Sequence, residues 1–276
     1  MTAKILPYNA ATGNAIRNVL FIFQYATPVP AKALEELKDG DLHNALKAKL
    51  PKIRFLTHGM KWGRESEADD SEIQSYIFER FNEKGEIAVG LNVQSDQVSV
   101  VCGEYTSWVN ARESVYRTIQ DLREWLQRYE VKVNTFTLQY LDEFKVVFGK
   151  EDAKVLTCLL SSDSSFLARN FVELEQEFHS HHGFFMQPEF QIEGRLLHNV
   201  NIGVTRREDE TVVQIQTIHK YEARKSLLDL FNEDGGFSSL LFQAYEYLHQ
   251  ENKRIVGNIL TAPVKEMIRF EAQRTE

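Results

Sequence analysis

Three histidines lie within four residues of one another, and imidazole nitrogens at this spacing suit metal coordination. His179 and His181 would share one face of a β-strand, because alternate strand residues point the same way. Together with His182 they are candidate ligands of a divalent metal ion, and His198 or His219 on a neighbouring strand would add a nitrogen. The alternatives are solvated imidazoles at a helix-to-strand junction and a pH-sensitive surface.

A second candidate site lies in the segment YLDEFKV, which contains Asp142, Glu143 and Lys145. A carboxylate pair followed by a lysine resembles the catalytic strand of metal-dependent nucleases, where such groups hold Mg²⁺ and orient water. A site of that kind needs a further acid on a neighbouring strand, and Asp96 is the nearest. The alternative is the exposed face of an edge strand.

The charge is distributed unevenly along the 276 residues, whose net charge is −8. Residues 1–64 contain ten Lys/Arg and four Asp/Glu, residues 65–86 contain two and eight, and residues 151–276 contain 13 and 20. The overall acidity argues against a protein that coats nucleic acid non-specifically. Locally, however, residues 47–64 are basic and form a candidate partner-binding or nucleic-acid-binding segment. Its members are Lys47, Lys49, Lys52, Arg54, Lys61, Trp62 and Arg64.

Two readings of the segment 47–64 remain open. Cations beside one aromatic ring, Trp62, would suit phosphates and a stacked base. A solvated helix face followed by an edge strand would place lysines at the same positions, since lysines discourage edge-to-edge pairing.

Several common chemistries leave no trace in the sequence. Cys102 and Cys158, the only cysteines, exclude a disulfide scaffold and a four-thiolate zinc site, and both are predicted to be buried thiols. No P-loop, dinucleotide fingerprint, HExxH or Gly-x-Ser-x-Gly motif occurs. We therefore expect no cofactor. No apolar run is long enough to cross a membrane and the N-terminus lacks a secretory stretch, so a cytoplasmic location is the default expectation.

The patterning of the first part of the chain predicts mainly antiparallel strands. Alternating or apolar runs predict strands over 19–29, 53–62, 75–82, 86–94, 97–105 and 132–148. Residues 31–50 are helical in pattern, with a break at Asp39-Gly40-Asp41. The strongest helix signal is an apolar stripe over residues 108–129, with Ser107 as the predicted N-cap.

Residues 161–276 show a similar pattern of antiparallel strands and helices. After the polar cluster Ser161–Ser165, the pattern predicts a helix over 166–178 and strands over 181–192, 196–206 and 211–221. A helix over 237–252, an apolar segment over 255–260 and a C-terminal helix capped by Thr261 complete it. The sequence thus predicts an α+β fold of two halves, 1–160 and 161–276, each an antiparallel β-meander backed by a long amphipathic helix.

Parts of the sequence resemble a sporadically distributed bacterial family of about this length with no assigned activity. The pattern consists of Phe81, Gly85, Tyr105, Trp108, Leu138, Tyr140 and Asp142, with an ending that contains His249, Asn252 and Ile259. The chain departs from it at Gln139, where arginine is expected. The resemblance implies a two-part α+β protein linked to mobile defence or toxin–antitoxin loci, and it supplies no catalytic residues.

These observations favour a non-enzymatic binding or sensor protein, or an accessory subunit of a bacterial anti-phage defence or toxin–antitoxin module. The basic residues 1–64 and the acidic residues 151–276 suit a specific protein partner or self-association. The alternatives are a metal-dependent hydrolase or nuclease, and an RNA-binding protein that uses residues 47–64.

Overall fold

A computed structural model describes residues 4–57, 73–147, 156–173, 177–207, 210–225, 227–234 and 236–270. It contains one antiparallel sheet of ten strands. The strands are β1 (Lys4–Pro7), β2 (Ile16–Tyr25), β3 (Lys52–Thr57), β4 (Ile73–Phe81), β5 (Ile87–Gln94), β6 (Gln97–Cys102), β7 (Val133–Val147), β8 (Phe178–Met186), β9 (Gly194–Arg207) and β10 (Glu210–Ala223). Their order is β3-β4-β5-β6-β2-β7-β10-β9-β8, and β1 pairs with β7 beyond the end of β2.

The predicted α+β class and both antiparallel meanders are confirmed, as β4–β5–β6 and β8–β9–β10. The two meanders lie in the same sheet, because β10 pairs with β7 from Glu210 opposite Val147 to Glu222 opposite Thr135. The organisation into two halves is therefore not confirmed, and a domain boundary at residues 160/161 stays a prediction.

Helices pack on one face of this sheet. They are α1 (Ala31–Glu35), α2 (Gly40–Lys49), α3 (Trp108–Gln120), α4 (Arg123–Arg128), α5 (Leu156–Leu159), α6 (Ser239–Ile259) and α7 (Ala262–Met267), with a 3₁₀ turn at Arg169–Glu173. The predicted break before α2 and the Ser107 cap of α3 are both present, and the cap accepts a hydrogen bond from the Asn110 N–H.

Two predicted elements differ from the structure, a helix and an apolar segment. The helix predicted over 166–178 is wrong, because the described residues of this segment form only a 3₁₀ turn and β8 begins at Phe178. Phe166 and Phe171 are buried in the core, and Asn258 of α6 accepts hydrogen bonds from Ser164 and Ser165, so tertiary contacts hold an irregular backbone. The apolar segment 255–260 is not separate, since α6 continues to Ile259.

Two smaller expectations have mixed outcomes. Cys102 is buried as predicted, but Cys158 is exposed. Among the described residues, no helix is both long and apolar enough to cross a membrane.

Alternate residues of β7 define the two faces of the sheet. Phe136, Leu138 and Tyr140 belong to the hydrophobic core that also contains buried residues of α3 and α6. The residues between them point away from the helices, to a surface that we call the open face. Along the central strands it consists of Leu20, Ile22, Thr137, Gln139, Leu141, Glu143, Asn199, Asn201, Gln214, Gln216 and Ile218.

Candidate functional site

The three residues of the nuclease-like strand do not converge. Asp142 points into the core and is 5% exposed. Glu143 lies on the open face, where it accepts hydrogen bonds from Arg17 and Gln214 at 2.9 Å each. Lys145 is 3.3 Å from Glu210. Adjacent strand residues face opposite sides, so the predicted carboxylate pair is not assembled.

The acid proposed to complete that site is also remote. Asp96 accepts a hydrogen bond from the backbone of Tyr25, at one end of β2. Asp142 pairs with Ile16 at the other end of the same strand. Nine residues of extended chain separate these ends by roughly 30 Å.

The histidines of β8 divide between the two faces of the sheet. His179 and His181 share the open face, as predicted, and His181 contacts Asn201. His182 faces the helix side, where its ring lies 5.8 Å from that of Phe166. Within the described part of the chain, no three His, Cys, Asp or Glu side chains converge to hold a metal. The pair His179/His181 stays a predicted metal-binding pair.

The basic segment is only partly described, because Lys61, Trp62 and Arg64 lie outside the described residues. Lys47 is exposed on α2 and Lys52 on β3. Two other cations of the segment are neutralised within the molecule. Lys49 is 2.8 Å from Asp121, and Arg54 is 2.5 Å from the buried carboxylate of Glu79. Partial neutralisation weakens the case for a phosphate-binding surface.

Several residues of the family-like pattern, distant in sequence, meet under α6. The Trp108 indole stacks on the His249 imidazole, with ring centres 4.2 Å apart and planes 8° apart. The Tyr140 hydroxyl lies 2.7 Å from His249 Nδ1, and the Tyr105 ring lies edge-on to that of Tyr140. We call this cluster the buried junction. It comprises Tyr105, Trp108, Tyr140, Asp142, His249 and Asn252.

Burial sets the protonation states in the buried junction. Desolvation, with Lys253 and Arg112 nearby, lowers the pKa of His249 to about 3. Burial also raises the pKa of Tyr140 well above its usual value. Tyr140 is therefore a neutral phenol that is hydrogen-bonded to a neutral imidazole. Burial raises the pKa of Asp142 to about 7, and its Oδ2 atom has no hydrogen-bond partner among the described residues.

A series of hydrogen-bonded polar side chains adjoins the buried junction. His198 and His219 face each other across β9 and β10, with their Nδ1 atoms 2.6 Å apart. His219 Nε2 is 3.1 Å from Asn252 Oδ1, which also accepts from Thr217, and His198 Nε2 is 3.4 Å from a Glu251 oxygen.

The donors and acceptors along this series of side chains assign the ring protons of His219 and His198. Asn252 Oδ1 only accepts, so His219 donates from Nε2 and its Nδ1 accepts from His198. His198 then faces the Glu251 carboxylate through its other nitrogen, Nε2, at 3.4 Å. Desolvation and the charge of His198 accordingly lower the pKa of His219 to about 3. Burial would raise the pKa of Glu251, but hydrogen bonds from His198 and Arg254 outweigh it and lower that pKa to about 2.

The cavity enclosed by Asp142, His249 and Asn252 is too small for a substrate. A cavity of about 20 Å³ lies between Asp142, His249, Asn252 and the start of β2. A single water needs roughly 10–15 Å³. The buried junction therefore fastens α6 to α3 and to the sheet, and it offers no room for a reacting molecule.

The open face carries two rows of interacting polar side chains. Arg17, Glu143 and Gln214 form one row across β2, β7 and β10. In the other row, Asn201 donates to Gln216 at 3.1 Å and contacts His181 of β8.

Half-buried aliphatic side chains lie beside these rows on the open face, namely Leu20, Ile22, Leu141 and Ile218. Sequence reasoning did not identify this surface. Its signal is the alternation in TVVQIQTIHKY, where Gln214 and Gln216 fall on the same side of a strand.

Comparisons with known proteins do not extend this description. No protein-family model and no curated protein sequence matches the chain.

Proposed function

We propose that this protein is a non-enzymatic binding protein, and that the open face of its sheet recognises another protein. The observation that carries the proposal is the composition of this face. Half-buried aliphatic side chains lie beside rows of amide groups in a sheet whose helices pack on the other side. Apolar centres with polar surroundings are typical of specific protein–protein interfaces.

The charges of the open face favour a partner whose contacting surface is largely uncharged. Arg17 is paired with Glu143 and Lys145 with Glu210. Both Lys220 and Arg195 are paired with Glu222, at 2.9 and 2.5 Å. Binding to a phosphate backbone depends on cations that release counterions, and these four cations already share three carboxylates within the chain. Since most of this positive charge is paired and aliphatic side chains lie between the rows, a polypeptide that presents apolar and amide groups fits better than a nucleic acid.

The enclosed geometry of the buried junction supports the same proposal. Its titratable groups Tyr140, Asp142 and His249 are buried around a cavity of about 20 Å³, and their contacts hold α6 against the sheet. In this proposal the two meanders form two halves of one partner-binding sheet. The family resemblance then suggests a cytoplasmic accessory or sensor subunit of a mobile defence or toxin–antitoxin module.

Affinity purification from the native host tests this proposal. The tagged wild type is compared with Ile218→Glu, which puts a charge in the open face, and with Val109→Glu on the exposed side of α3. We expect one protein to be recovered in near-stoichiometric amount with the wild type and Val109→Glu, and to be lost with Ile218→Glu. Equal recovery with all three, or no reproducible partner, would contradict the proposal. Circular dichroism confirms that the variants fold.

A further inference from the structure

The two edges of the sheet are built differently. One edge is β3, which carries Lys52 and Arg54. The other is β8, whose nine residues FHSHHGFFM include no Lys, Arg, Asp, Glu or Pro. Edge strands of monomeric proteins are normally protected by such residues, because their unpaired N–H and C=O groups accept any matching strand. By this criterion β3 is protected and β8 is not.

The side chains of β8 are also suited to an interface. Phe185 is 59% exposed, although the Arg195 guanidinium lies 4.9 Å from its ring centre. His179, His181 and His182 are exposed as well. Among the described residues, β8 pairs with β9 alone, so its outer row of backbone groups has no strand partner.

We propose that β8 pairs with β8 of a second copy of this chain, antiparallel and across a two-fold axis. Pairing over the full length of the strand requires the axis to pass through the central residue, His182. Phe178 then lies opposite Met186 of the second copy, and His179 opposite its Phe185. Apolar and aromatic side chains thus meet across the axis, which stabilises antiparallel pairs.

Charge explains why the occupant is a second copy. A two-fold axis places identical residues near one another, so a strand with lysines or carboxylates would repel itself. β8 contains no Lys, Arg, Asp or Glu to oppose its own copy, whereas Lys52 of β3 is an exposed cation that makes self-pairing of β3 less favourable. The axis stands perpendicular to the sheet, so both open faces lie on the same side of the dimer. The dimer does not depend on the function proposed above.

Sedimentation analysis of the purified full-length protein tests the dimer without any partner. We expect a dimer at a protein concentration of about 100 μM, since a single strand pair buries a small interface. His182→Lys/Phe185→Lys places like charges near the axis and should weaken dimerisation at least ~10-fold. The matched control Phe55→Lys/Leu56→Lys alters residues of β3 that are 62% and 51% exposed, and should leave the dimer unchanged.

Disulfide cross-linking tests the pairing register. In a Cys158→Ser background, which removes the exposed native thiol, His182→Cys should give a covalent dimer on mild oxidation. Opposed residues of an antiparallel pair have Cα atoms about 4.5–5.5 Å apart, within the range of a disulfide. Arg54→Cys on β3 should stay monomeric on a denaturing gel.

Each contrary result overturns the inference. A monomeric wild type at the stated concentration excludes the dimer. A dimer lost only with the β3 variants, or cross-linked only through Arg54→Cys, places the interface at the other edge. Loss of the native partner with an intact dimer would affect the proposed function alone.

Discussion

The two sides of β7 show how one strand serves two different environments. On the helix side, Tyr140 and Asp142 are closed in, and burial shifts their pKa values far from the ordinary ones. On the open side, Gln139, Leu141 and Glu143 are half-buried or hydrogen-bonded to neighbouring strands. Polar groups on the helix side are held by the fold, whereas the amide groups of Gln139, Gln214 and Gln216 on the open side are partly exposed, where another molecule can reach them. Stability should therefore depend mainly on the first set and recognition on the second.

The largest expected contrast is between truncations on the two faces. Phe136 is fully buried and stacks on Tyr221 at 4.8 Å, so Phe136→Ala should lower the free energy of unfolding by about 3–5 kcal/mol. Ile22 lies one strand away on the open face, and Ile22→Ala should cost about 1 kcal/mol, because its side chain is only partly removed from water. Urea unfolding followed by circular dichroism measures both. Equal losses would mean that the open face is covered like a core.

The sequence contained much of the fold but only part of the site. The alternation of β7 and the apolar stripe over 108–129 are local signals. The strand forms as predicted, whereas the predicted single helix is divided into α3 and α4. The same strand period puts Asp142 and Glu143 on opposite faces, so it already argued against a carboxylate pair. The contact between His198 and His219 follows from the register of β9 with β10, which no local pattern specifies. The helix predicted over 166–178 does not form. Ser164 and Ser165, directly before it, are instead hydrogen-bonded to Asn258 of α6, some ninety residues later.

The next contrast concerns the pH dependence of stability. The pKa of Asp142 is about 7 in the folded protein, against 3.8 as its ordinary value. Between these values the unfolded chain loses the proton while the folded chain keeps it, so stability falls as pH rises towards 7. At about 1.4 kcal/mol per pKa unit, the penalty above pH 7 is on the order of 4 kcal/mol. Asp142→Asn should therefore be more stable than the wild type at pH 8, and the two should be close at pH 4.

Urea midpoints between pH 4 and pH 8 measure this difference. Glu143→Gln is the matched control, since it removes the same charge from the opposite face of the same strand. Its midpoint should not rise at pH 8, because the Glu143 carboxylate holds Arg17 and Gln214. If Asp142→Asn is less stable than the wild type at pH 8, the carboxylate is held by a partner and not merely desolvated.

The smallest contrast isolates one hydrogen bond of the buried junction. Tyr140→Phe removes the hydroxyl that is hydrogen-bonded to His249 Nδ1 and leaves that nitrogen buried without a partner, which should cost about 1–3 kcal/mol. His249→Phe removes the acceptor but retains a ring against Trp108. The double variant has neither polar group, so its loss of stability should be smaller than the sum of the two single losses. Strict additivity in urea unfolding would mean that the 2.7 Å contact contributes nothing to holding α6 on the sheet, and that shape complementarity alone fixes the helix there.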